Sequence, residues 1–384
     1  MIYYTGEPDG AVRGTLTAKV KKKARELGFD AVGIAPAAPL SLAERAIRER
    51  VESGRLRDYG FARTPHERFT RPELALPGAR SLIVVALSYL RPGPADEGGG
   101  PRGRIARFAL GRDYHTVVES RLRGLAEWLS REAGGANYRI CVDTGPMIDR
   151  AAAREAGIGS YGRNAAIITL EAGSWVVLGE LITDLALEPD DPAPLEECGD
   201  CSICLSACPS GAIVSPFVID QTRCISHITQ MKGFIPRELR PLVGDRIYGC
   251  DACQEVCPKN VGVRPGKHAP ASDYLGPRPE LVPLLGMDQA TFDELVGPTA
   301  IGWIGRTSFR RNAAVALGNI GDPAAVPELC RALEDAEPVI RGHAAWALGK
   351  IGGVEARRVL QAALQREQDR RVAQELEAAG AGAP

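Results

Sequence analysis

The sequence lacks an excess of charge of either sign. Lysine and arginine number 47, aspartate and glutamate number 48, and the net charge of the 384-residue chain is −1. A near-neutral chain does not coat nucleic acid non-specifically through charge alone. A confined basic face remains open, so local recognition of nucleic acid is not excluded.

Long hydrophobic runs are also missing. The longest apolar stretch, residues 82–90, is interrupted by Ser88 and is far shorter than the roughly 20 residues of a membrane-spanning helix. The first ten residues, MIYYTGEPDG, lack the basic start and apolar core of a signal peptide. We therefore expect a cytoplasmic protein that does not enter membranes.

Glycine (43) and proline (28) are too few to indicate disorder, and the length predicts two or three domains. Helical and extended patterns alternate up to about residue 190, which predicts one mixed α and β domain. The stretch 91–103 has no periodicity and predicts a loop. The predicted helices cover residues 15–27, 113–132 and 147–157, and the predicted strands cover 29–34, 81–89, 138–143, 165–170 and an extended pair in 173–188.

The last part of the chain contains a repeat. The segment NAAVALGNIG at residues 312–321 aligns with HAAWALGKIG at residues 343–352, an offset of 31 residues. A period of this length with two helices per unit is typical of a HEAT-type α-solenoid. Two repeats cannot form a stable solenoid alone, so we expect them to dock on the preceding domain, with a third, truncated unit after Arg370.

Cysteine is scarce outside one segment, because eight of the ten cysteines lie between residues 198 and 257. One run is Cys-x2-Cys-x2-Cys-x3-Cys-Pro, and the other group is one cysteine, 25 intervening residues, and Cys-x2-Cys-x3-Cys-Pro. In two-cluster ferredoxins the fourth cysteine of a run ligates the other 4Fe–4S cluster. This pattern predicts one cluster on Cys198, Cys201, Cys204 and Cys257, and a second on Cys208, Cys224, Cys250 and Cys253.

Two structural zinc sites are the alternative for these cysteines, since paired Cys-x2-Cys knuckles also bind zinc. The tight run that ends in Cys-Pro favours iron–sulfur clusters. The 25-residue insertion is longer than a plain electron carrier needs, so it either reaches a second cofactor or substrate or forms a solvated loop. Its candidate contact residues are Ser226, His227, Thr229, Lys232 and Tyr248.

The overall prediction is an α+β multidomain chain. A mixed α/β domain occupies residues 1–190, and a ferredoxin-like two-cluster domain occupies residues 191–265. A proline-rich connector covers residues 266–305, and the HEAT-like α-solenoid covers residues 306–384. Two clusters make a short path for single electrons, so we expect the terminal acceptor in the first domain.

Several motifs together resemble the epoxyqueuosine reductase family. They are ARFALGRDYH at residues 106–115, VDTGPMIDRA at 142–151, AGIGSYGRN at 156–164, GSWVVLGE at 173–180, the double-cluster motif and the HEAT-like tail. The resemblance covers nearly the whole chain. It implies a cobalamin cofactor, two 4Fe–4S clusters and reduction of epoxyqueuosine to queuosine at the wobble position of a tRNA anticodon. This chain departs from the family where it has Tyr161 and Arg163, which keep the aromatic and cationic character.

The resemblance also implies site residues. The leaving epoxide oxygen needs a proton, and Asp143 is the implied donor; the alternative is that it caps a helix starting near Pro146. His115 is expected to pack or hydrogen-bond rather than ligate cobalt. Arg150 and Arg154 are expected to meet phosphates or to pair with neighbouring carboxylates. The candidate cobalamin contacts are Arg107, Asp143, Ile167 and Ser226; for Arg107, Ile167 and Ser226 the alternative is an ordinary structural role.

The tRNA anticodon stem-loop is the implied partner, and the solenoid is the natural arm for it. Arginine suits phosphate recognition, and the candidates are Arg306, Arg310, Arg311 and Arg341. The alternative is that they lie on a solvated helix face. We further expect a separate electron donor protein or reductant and a monomer. Two other functions stay open: another cobalamin and iron–sulfur reductase acting on a small molecule, and a non-catalytic electron-transfer protein whose HEAT arm binds a partner.

Overall fold

The computed structural model describes residues 15–56, 64–91, 99–267 and 274–381. The chain divides into two compact units that alternate along the sequence. None of the helices within the described ranges is long and apolar enough to cross a membrane. The first unit contains Met1–Leu90, His115–Cys201 and Pro258–Ala269, and the second contains Arg91–Tyr114, Ser202–Cys257 and Pro270–Pro384. The four-segment division expected from the sequence stays a prediction.

Ten β-strands lie in the described residues. In chain order they are β1 (Ala31–Pro36), β2 (Ser81–Ser88), β3 (Arg104–Ile105), β4 (Tyr138–Cys141), β5 (Gly159–Tyr161), β6 (Ile167–Thr169), β7 (Val176–Thr183), β8 (Ile213–Ser215), β9 (Val218–Ile219) and β10 (Arg246–Tyr248).

The described residues also form seventeen α-helices, several of which are a single turn. They are α1 (Leu16–Glu26), α2 (Ser41–Glu52), α3 (Glu67–Thr70), α4 (Pro72–Ala75), α5 (Tyr114–Ala133), α6 (Asp149–Glu155), α7 (Ile203–Ala207), α8 (Ile225–Gln230), α9 (Arg240–Val243), α10 (Ala252–Glu255), α11 (Leu281–Leu285), α12 (Gln289–Leu295), α13 (Gly305–Ile320), α14 (Val326–Ala332), α15 (Pro338–Ile351), α16 (Val354–Leu364) and α17 (Arg370–Ala381).

The first unit is built on a four-stranded antiparallel sheet of order β1-β2-β7-β4. Alternate side chains of β7 point to opposite faces. On one face, Leu178 and Ile182 join the apolar core that contains the alanines of α6. On the other face, a Cβ on Gly179 would lie 2.8 Å from Val118 and 3.2 Å from Leu122 of α5. The sheet is therefore covered by α6 on one side and by α5 on the other.

Most predicted elements of this unit are confirmed, with shifted ends. Helix α1 starts after the N-cap Thr15, whose hydroxyl accepts from the Ala18 N–H, and ends before Gly28, which has a φ of 89°. The strand expected from residue 29 begins at Ala31, because the Phe29 N–H still bonds back to Ala24. The extended pair expected in 173–188 is wrong: it is the single strand β7. Residues 92–98 of the predicted loop lie outside the described residues.

The C-terminal part of the second unit confirms the predicted repeat. Helices α13 and α15 carry the two copies of the motif and pack on one another, and α15 packs on α17 in turn. Equivalent glycines allow the close approach: a Cβ on Gly318 would lie 2.7 Å from the Trp346 ring, and one on Gly349 would lie 2.8 Å from Ala379. The 31-residue spacing of these glycines therefore reflects a repeated helix-to-helix contact.

Candidate active site and cluster-binding segment

Asp143 lies two residues beyond the end of β4, in a backbone conformation unusual for its type. Its φ is 49°, in the left-handed region that non-glycine residues rarely adopt. Its main-chain N–H donates a hydrogen bond of 2.8 Å to Oδ2 of Asp149, the first residue of α6. The N-cap residue of α6 is Ile148, which makes no side-chain cap hydrogen bond, so Asp143 does not occupy the N-cap position. The Asp149 carboxylate instead holds the Asp143 backbone.

The Asp143 side chain is accessible and has a histidine beside it. Its carboxyl is 61% exposed, and Oδ2 lies 3.4 Å from Nε2 of His115, near the start of α5. The expectation that His115 packs or hydrogen-bonds rather than ligates cobalt stays a prediction. An exposed carboxyl beyond a strand end, with a histidine nearby and a main chain fixed by a hydrogen bond, is suited to exchange a proton with a bound molecule.

Two buried carboxyl groups lie behind Asp143. Burial, together with the charge of Asp143, raises the pKa of Asp149 to about 7. Glu180, on β7, is fully buried, and burial followed by the charges of Asp149 and Asp143 raises its pKa well above the usual range. Burial also raises the pKa of the Cys141 thiol to about 12, with Glu180 and Asp149 adding to the effect. The site therefore favours protonated, neutral side chains.

The sequence patterns assign no role to either acid. Glu180 is the last residue of the motif at residues 173–180, and Asp149 lies within the motif at residues 142–151. The signal was present in the strand, because Glu180 is the one charged residue in an otherwise apolar run, VVLGELI, at residues 176–182. A charged residue in the middle of a buried strand is rare without a reason.

The two arginines of α6 are engaged in local contacts. Arg154 pairs with Glu155 at 2.6 Å, as one of the two sequence expectations had it. Arg150 is exposed and donates to the main-chain oxygen of Ala165 at 2.8 Å. Arg150 therefore ties α6 to the turn between β5 and β6, in the segment that carries Tyr161 and Arg163.

The four predicted cobalamin contacts are divided between the two units. Asp143 and Ile167 lie in the first, Arg107 and Ser226 in the second. Ile167 is 3% exposed and its side chain is part of the hydrophobic core. A contact through that side chain is therefore excluded by burial, and only its main chain could serve. Ser226 is half-buried at the start of α8, where it accepts hydrogen bonds from Gln230.

Arg107 links a loop of the second unit to the cluster segment. Its N–H donates to Asp251 at 2.8 Å, and its guanidinium donates to Glu255 at 2.8 Å and to Asp251 at 3.3 Å. Burial raises the pKa of Asp251 to about 6, and the bonds from Arg107 oppose this shift. Asp251 lies between Cys250 and Cys253, so Arg107 fixes the backbone of the second cysteine run.

The cysteine runs are brought together by short helices. Helix α7, which contains Cys204, packs on α10, which contains Cys253. The Sγ of Cys208 accepts from the Ala212 N–H at 3.3 Å. Burial alone would raise the pKa of Cys208, but bonds from the backbone at Ile213 and from Ser210 lower it overall. Amide bonds to sulfur are a common means of tuning iron–sulfur clusters.

The described cysteines form no disulfide. Among the described residues, no three His, Cys, Asp or Glu side chains converge as the ligands of one metal ion would. In a 4Fe–4S cluster each thiolate binds a different iron, so the four sulfurs surround the cube rather than meet at a point. The assignment of the eight cysteines to two ligand sets stays a prediction.

Most of the 25-residue insertion is structural rather than a reaching loop. Thr229 and Tyr248 are buried. The Tyr248 hydroxyl donates to the Ala300 oxygen at 2.7 Å and accepts from the Trp303 indole at 2.9 Å. Lys232 donates to the main-chain oxygen of Trp303 at 2.9 Å. The suggestion that Thr229, Lys232 and Tyr248 reach a substrate is therefore not supported, since each has a partner inside the second unit.

Three of the four arginines expected to bind tRNA are occupied inside the protein. Arg311 is fully buried and donates to the main-chain oxygens of Met231 and Gly233. Arg310 is also buried and pairs with Asp335, and Arg341 makes a bidentate pair with Glu367. Burial and internal pairing keep these groups away from an RNA surface. Arg306 is partly exposed, bonds to Gln289 and Met287, and stays a candidate.

Three family models match this chain, in the order of the predicted segments. The model described as Epoxyqueuosine reductase QueG, DUF1730, matches residues 70–144. The model of a 4Fe-4S double cluster binding domain matches residues 197–260, and that of HEAT repeats matches residues 305–380. The match to the double cluster domain favours iron–sulfur clusters over structural zinc for the cysteines of residues 197–260.

Curated relatives and solved structures extend the match to nearly the full length. The epoxyqueuosine reductase of Bacillus cereus is 40% identical over 362 residues, which cover 92% of this chain and 93% of that protein. The Escherichia coli epoxyqueuosine reductase is 36% identical over 344 residues, 87% of this chain and 89% of that protein.

The structural likeness is equally broad. A crystal structure of epoxyqueuosine reductase with an epoxyqueuosine-modified stem loop of tyrosine tRNA has a TM-score of 0.90 and 36% identity, covering 95% of this chain and 98% of that one. A Bacillus subtilis epoxyqueuosine reductase, with a catalytic aspartate loop swung out of the active site, has a TM-score of 0.89 and 36% identity over 96% and 99% of the two chains. The fold, the cluster segment and the loop around Asp143 lead to one conclusion: the chain belongs to the epoxyqueuosine reductase family of oxidoreductases.

Proposed function

We propose that this protein reduces the epoxide of epoxyqueuosine in a tRNA anticodon stem-loop to the alkene of queuosine, with Asp143 as the proton donor. The observation that carries the proposal is the placement of Asp143. Its carboxyl is exposed beside His115 while its backbone is held by Asp149. The likeness to an enzyme solved with an epoxyqueuosine-modified stem loop supports the same substrate here.

The reaction balances as two electrons and two protons. The epoxide oxygen leaves as water, and its two carbons are joined by a double bond. Asp143 delivers a proton to the leaving oxygen and is ionised by that step. The Nε2 atom of His115 lies 3.4 Å from Oδ2 of Asp143, so a protonated His115 would stabilise the carboxylate that this step leaves. We propose that the electrons come from a separate donor protein or reductant and enter through the two clusters.

The ligands of those clusters are proposed from spacing and supported by the packing of α7 on α10. Thiols are the donors that 4Fe–4S clusters require, and this segment supplies eight of them. One cluster takes Cys198, Cys201, Cys204 and Cys257, and the other takes Cys208, Cys224, Cys250 and Cys253. The paired sets place each cysteine run on both clusters, which suits single-electron transfer between them.

Cobalamin is the proposed second cofactor. When bound, it supplies a reduced cobalt that is a strong nucleophile for the epoxide. The residues fit in chemistry: Asp143 has an exposed carboxyl, Ser226 a half-buried hydroxyl, and Arg107 a guanidinium that is 38% exposed. Ile167 would contribute its main chain only.

The test uses protein purified without oxygen and loaded with cobalamin. We expect about eight irons and one cobalt per chain, and conversion of an epoxyqueuosine-containing stem-loop to queuosine, followed by mass spectrometry of the nucleosides. Asp143→Asn should slow conversion at least about 100-fold. The matched control Asp191→Asn changes an exposed aspartate and should not. Reduction of small epoxides but not of the stem-loop would overturn the tRNA assignment, and iron without cobalt or conversion would favour a plain electron carrier.

We also propose that the protein acts in the cytoplasm as a monomer. This proposal follows from the composition and the N-terminal residues of the sequence. Light scattering of the loaded protein, alone and with the stem-loop, tests the monomeric state. One chain per particle and one stem-loop per chain are expected, and a stable dimer would contradict it.

A further inference from the structure

Glu180 is the least explained polar side chain of the first unit. It is fully buried in the middle of β7. Neither of its carboxyl oxygens has a hydrogen-bond partner among the described residues. An ionised carboxylate is too costly to bury in this way, so a buried carboxyl without a cation is protonated. Such a group is rarely kept without a function.

The register shows what surrounds Glu180. Its neighbours across the sheet are Cys141 on β4 and Val84 on β2. Its side chain shares a face with Leu178 and Ile182, both in the core that includes the alanines of α6. Glu180 therefore lies in the apolar layer beneath α6, on the side of the sheet where that helix begins with Asp149.

Asp149 connects this layer to the proposed catalytic loop. Its Oδ2 accepts the main-chain N–H of Asp143 at 2.8 Å. Its Oδ1 is inaccessible to solvent and has no partner among the described residues, although other atoms of the residue are partly exposed. After burial, the charge of Asp149 is the largest cause of the raised pKa of Glu180, so the two carboxyls interact. Glu180 thus holds a proton without an acceptor, and Asp149 offers a buried oxygen without a donor.

We infer that Glu180 and Asp149 share one proton and together act as a positioning pair, which holds the backbone of Asp143 in its left-handed conformation. The inference rests on the proposed function in so far as Asp143 is the reacting acid. With one shared proton the pair carries a single negative charge. That charge keeps Asp149 Oδ2 a strong acceptor for the Asp143 N–H.

The pair has a limited pH range. Two buried carboxylates that repel one another do not both ionise readily, so they titrate as a unit. When the shared proton is lost in alkaline solution, the two negative charges repel, and Asp149 is pushed away from the Asp143 N–H. The other titratable and charged groups that face the pair are Cys141 and Arg139 on β4, Arg150 on α6, and Asp143 and His115 at the loop.

The test measures the loop rather than the reaction. Amide hydrogen exchange of residues 142–148 is followed against pH in the loaded protein and corrected for intrinsic exchange rates. The wild type should lose protection in alkaline solution. Glu180→Gln keeps the shape and a hydrogen-bond donor but cannot ionise. It should shift the half-loss of protection upward by at least about one pH unit, tenfold in proton concentration.

Two further variants serve as controls for this exchange experiment. Asp149→Ala removes the acceptor and should abolish the protection of 142–148 at every pH, while leaving that of β7 intact. Glu188→Gln, an exposed glutamate beyond the end of β7, is the matched control and should follow the wild type. The same pH dependence in the wild type and in Glu180→Gln would overturn the inference.

An infrared measurement keeps the inference testable if a variant folds poorly. The wild type should show the carbonyl band of a protonated carboxyl at neutral pH, shifted in heavy water, and its absence would also overturn the proposal. Neither readout uses activity, so failure of the epoxide reductase assignment is seen separately. If the enzyme turns over, Glu180→Gln should move the alkaline limb of kcat upward without changing KM for the stem-loop, which a merely structural residue would not do.

Discussion

The Asp149 carboxylate accepts a 2.8 Å hydrogen bond from the main-chain N–H of Asp143, a residue with a φ of 49°. A left-handed conformation costs a non-glycine residue roughly 1–2 kcal/mol. The bond offsets part of this cost and fixes the point at which the Asp143 side chain leaves the backbone. Strain of this kind, at an exposed carboxyl, is typical of sites where position matters more than stability.

Replacing Asp143 by glycine should therefore separate stability from activity. Glycine adopts a positive φ without strain, so Asp143→Gly should raise the free energy of unfolding by about 1 kcal/mol while conversion of epoxyqueuosine is lost. Asp143→Ala should lose activity without this gain, because its Cβ retains the strain. Thermal unfolding of the loaded proteins measures the difference, and equal melting temperatures for the two variants would contradict the expected strain.

The stability of the protein should depend on pH through Asp149. Its pKa is about 7 in the folded protein and 3.8 as the ordinary value, so the folded state binds the proton more tightly. Proton binding by Asp149 stabilises the folded state fully below about pH 4, and this contribution declines as the pH rises towards 7. In urea titrations between these two pH values, Asp149→Asn should reduce the dependence of the free energy of unfolding on pH, whereas the exposed control Asp191→Asn should not.

The buried arginine of the solenoid should matter for folding and not for RNA. Arg311→Ala removes two hydrogen bonds to main-chain oxygens inside the second unit. Leaving such groups unpaired costs about 1–3 kcal/mol each, so the melting temperature should fall clearly. The Kd of the folded fraction for the stem-loop should stay unchanged. Weaker RNA binding at unchanged stability would instead restore Arg311 as a phosphate contact.

The cluster ligands can be tested one at a time. Cys253→Ser removes a proposed ligand and should reduce the iron content from about eight to about four per chain. Cys330 lies in the solenoid, outside both ligand sets, so the control variant Cys330→Ser should retain all the iron. Iron analysis and the visible absorption of the clusters give the readout. Full iron in Cys253→Ser would remove that cysteine from its set.

Local patterns predicted much of the fold, because they report on single elements. The capped amphipathic helix after Thr15, the apolar strand from Ser81 and the repeated Leu-Gly of α13 and α15 all carry their signal within a few residues. The extended pair predicted in residues 173–188 is the single strand β7, because pairing with β2 and β4, which local patterns do not show, ends it at Thr183.

The site was less accessible to sequence reasoning, because it depends on burial and partners. Arg310 and Arg311 look like exposed cations on a helix, yet the chain before α9 and the end of α14 cover them. The role of Glu180 depends on its position beneath α6, which no residue spacing in the sequence shows. The resemblance to the family identifies Asp143 as the proton donor, whereas its proximity to His115 is visible only in the structure.

The most direct test of the account is single-turnover conversion of an epoxyqueuosine-containing stem-loop by the wild type and by Asp143→Asn, both loaded with clusters and cobalamin to equal metal content. The account predicts queuosine from the wild type and a rate at least about 100-fold lower from the variant. Equal rates would contradict the role of Asp143, and no queuosine from a fully loaded wild type would contradict the proposed reaction itself.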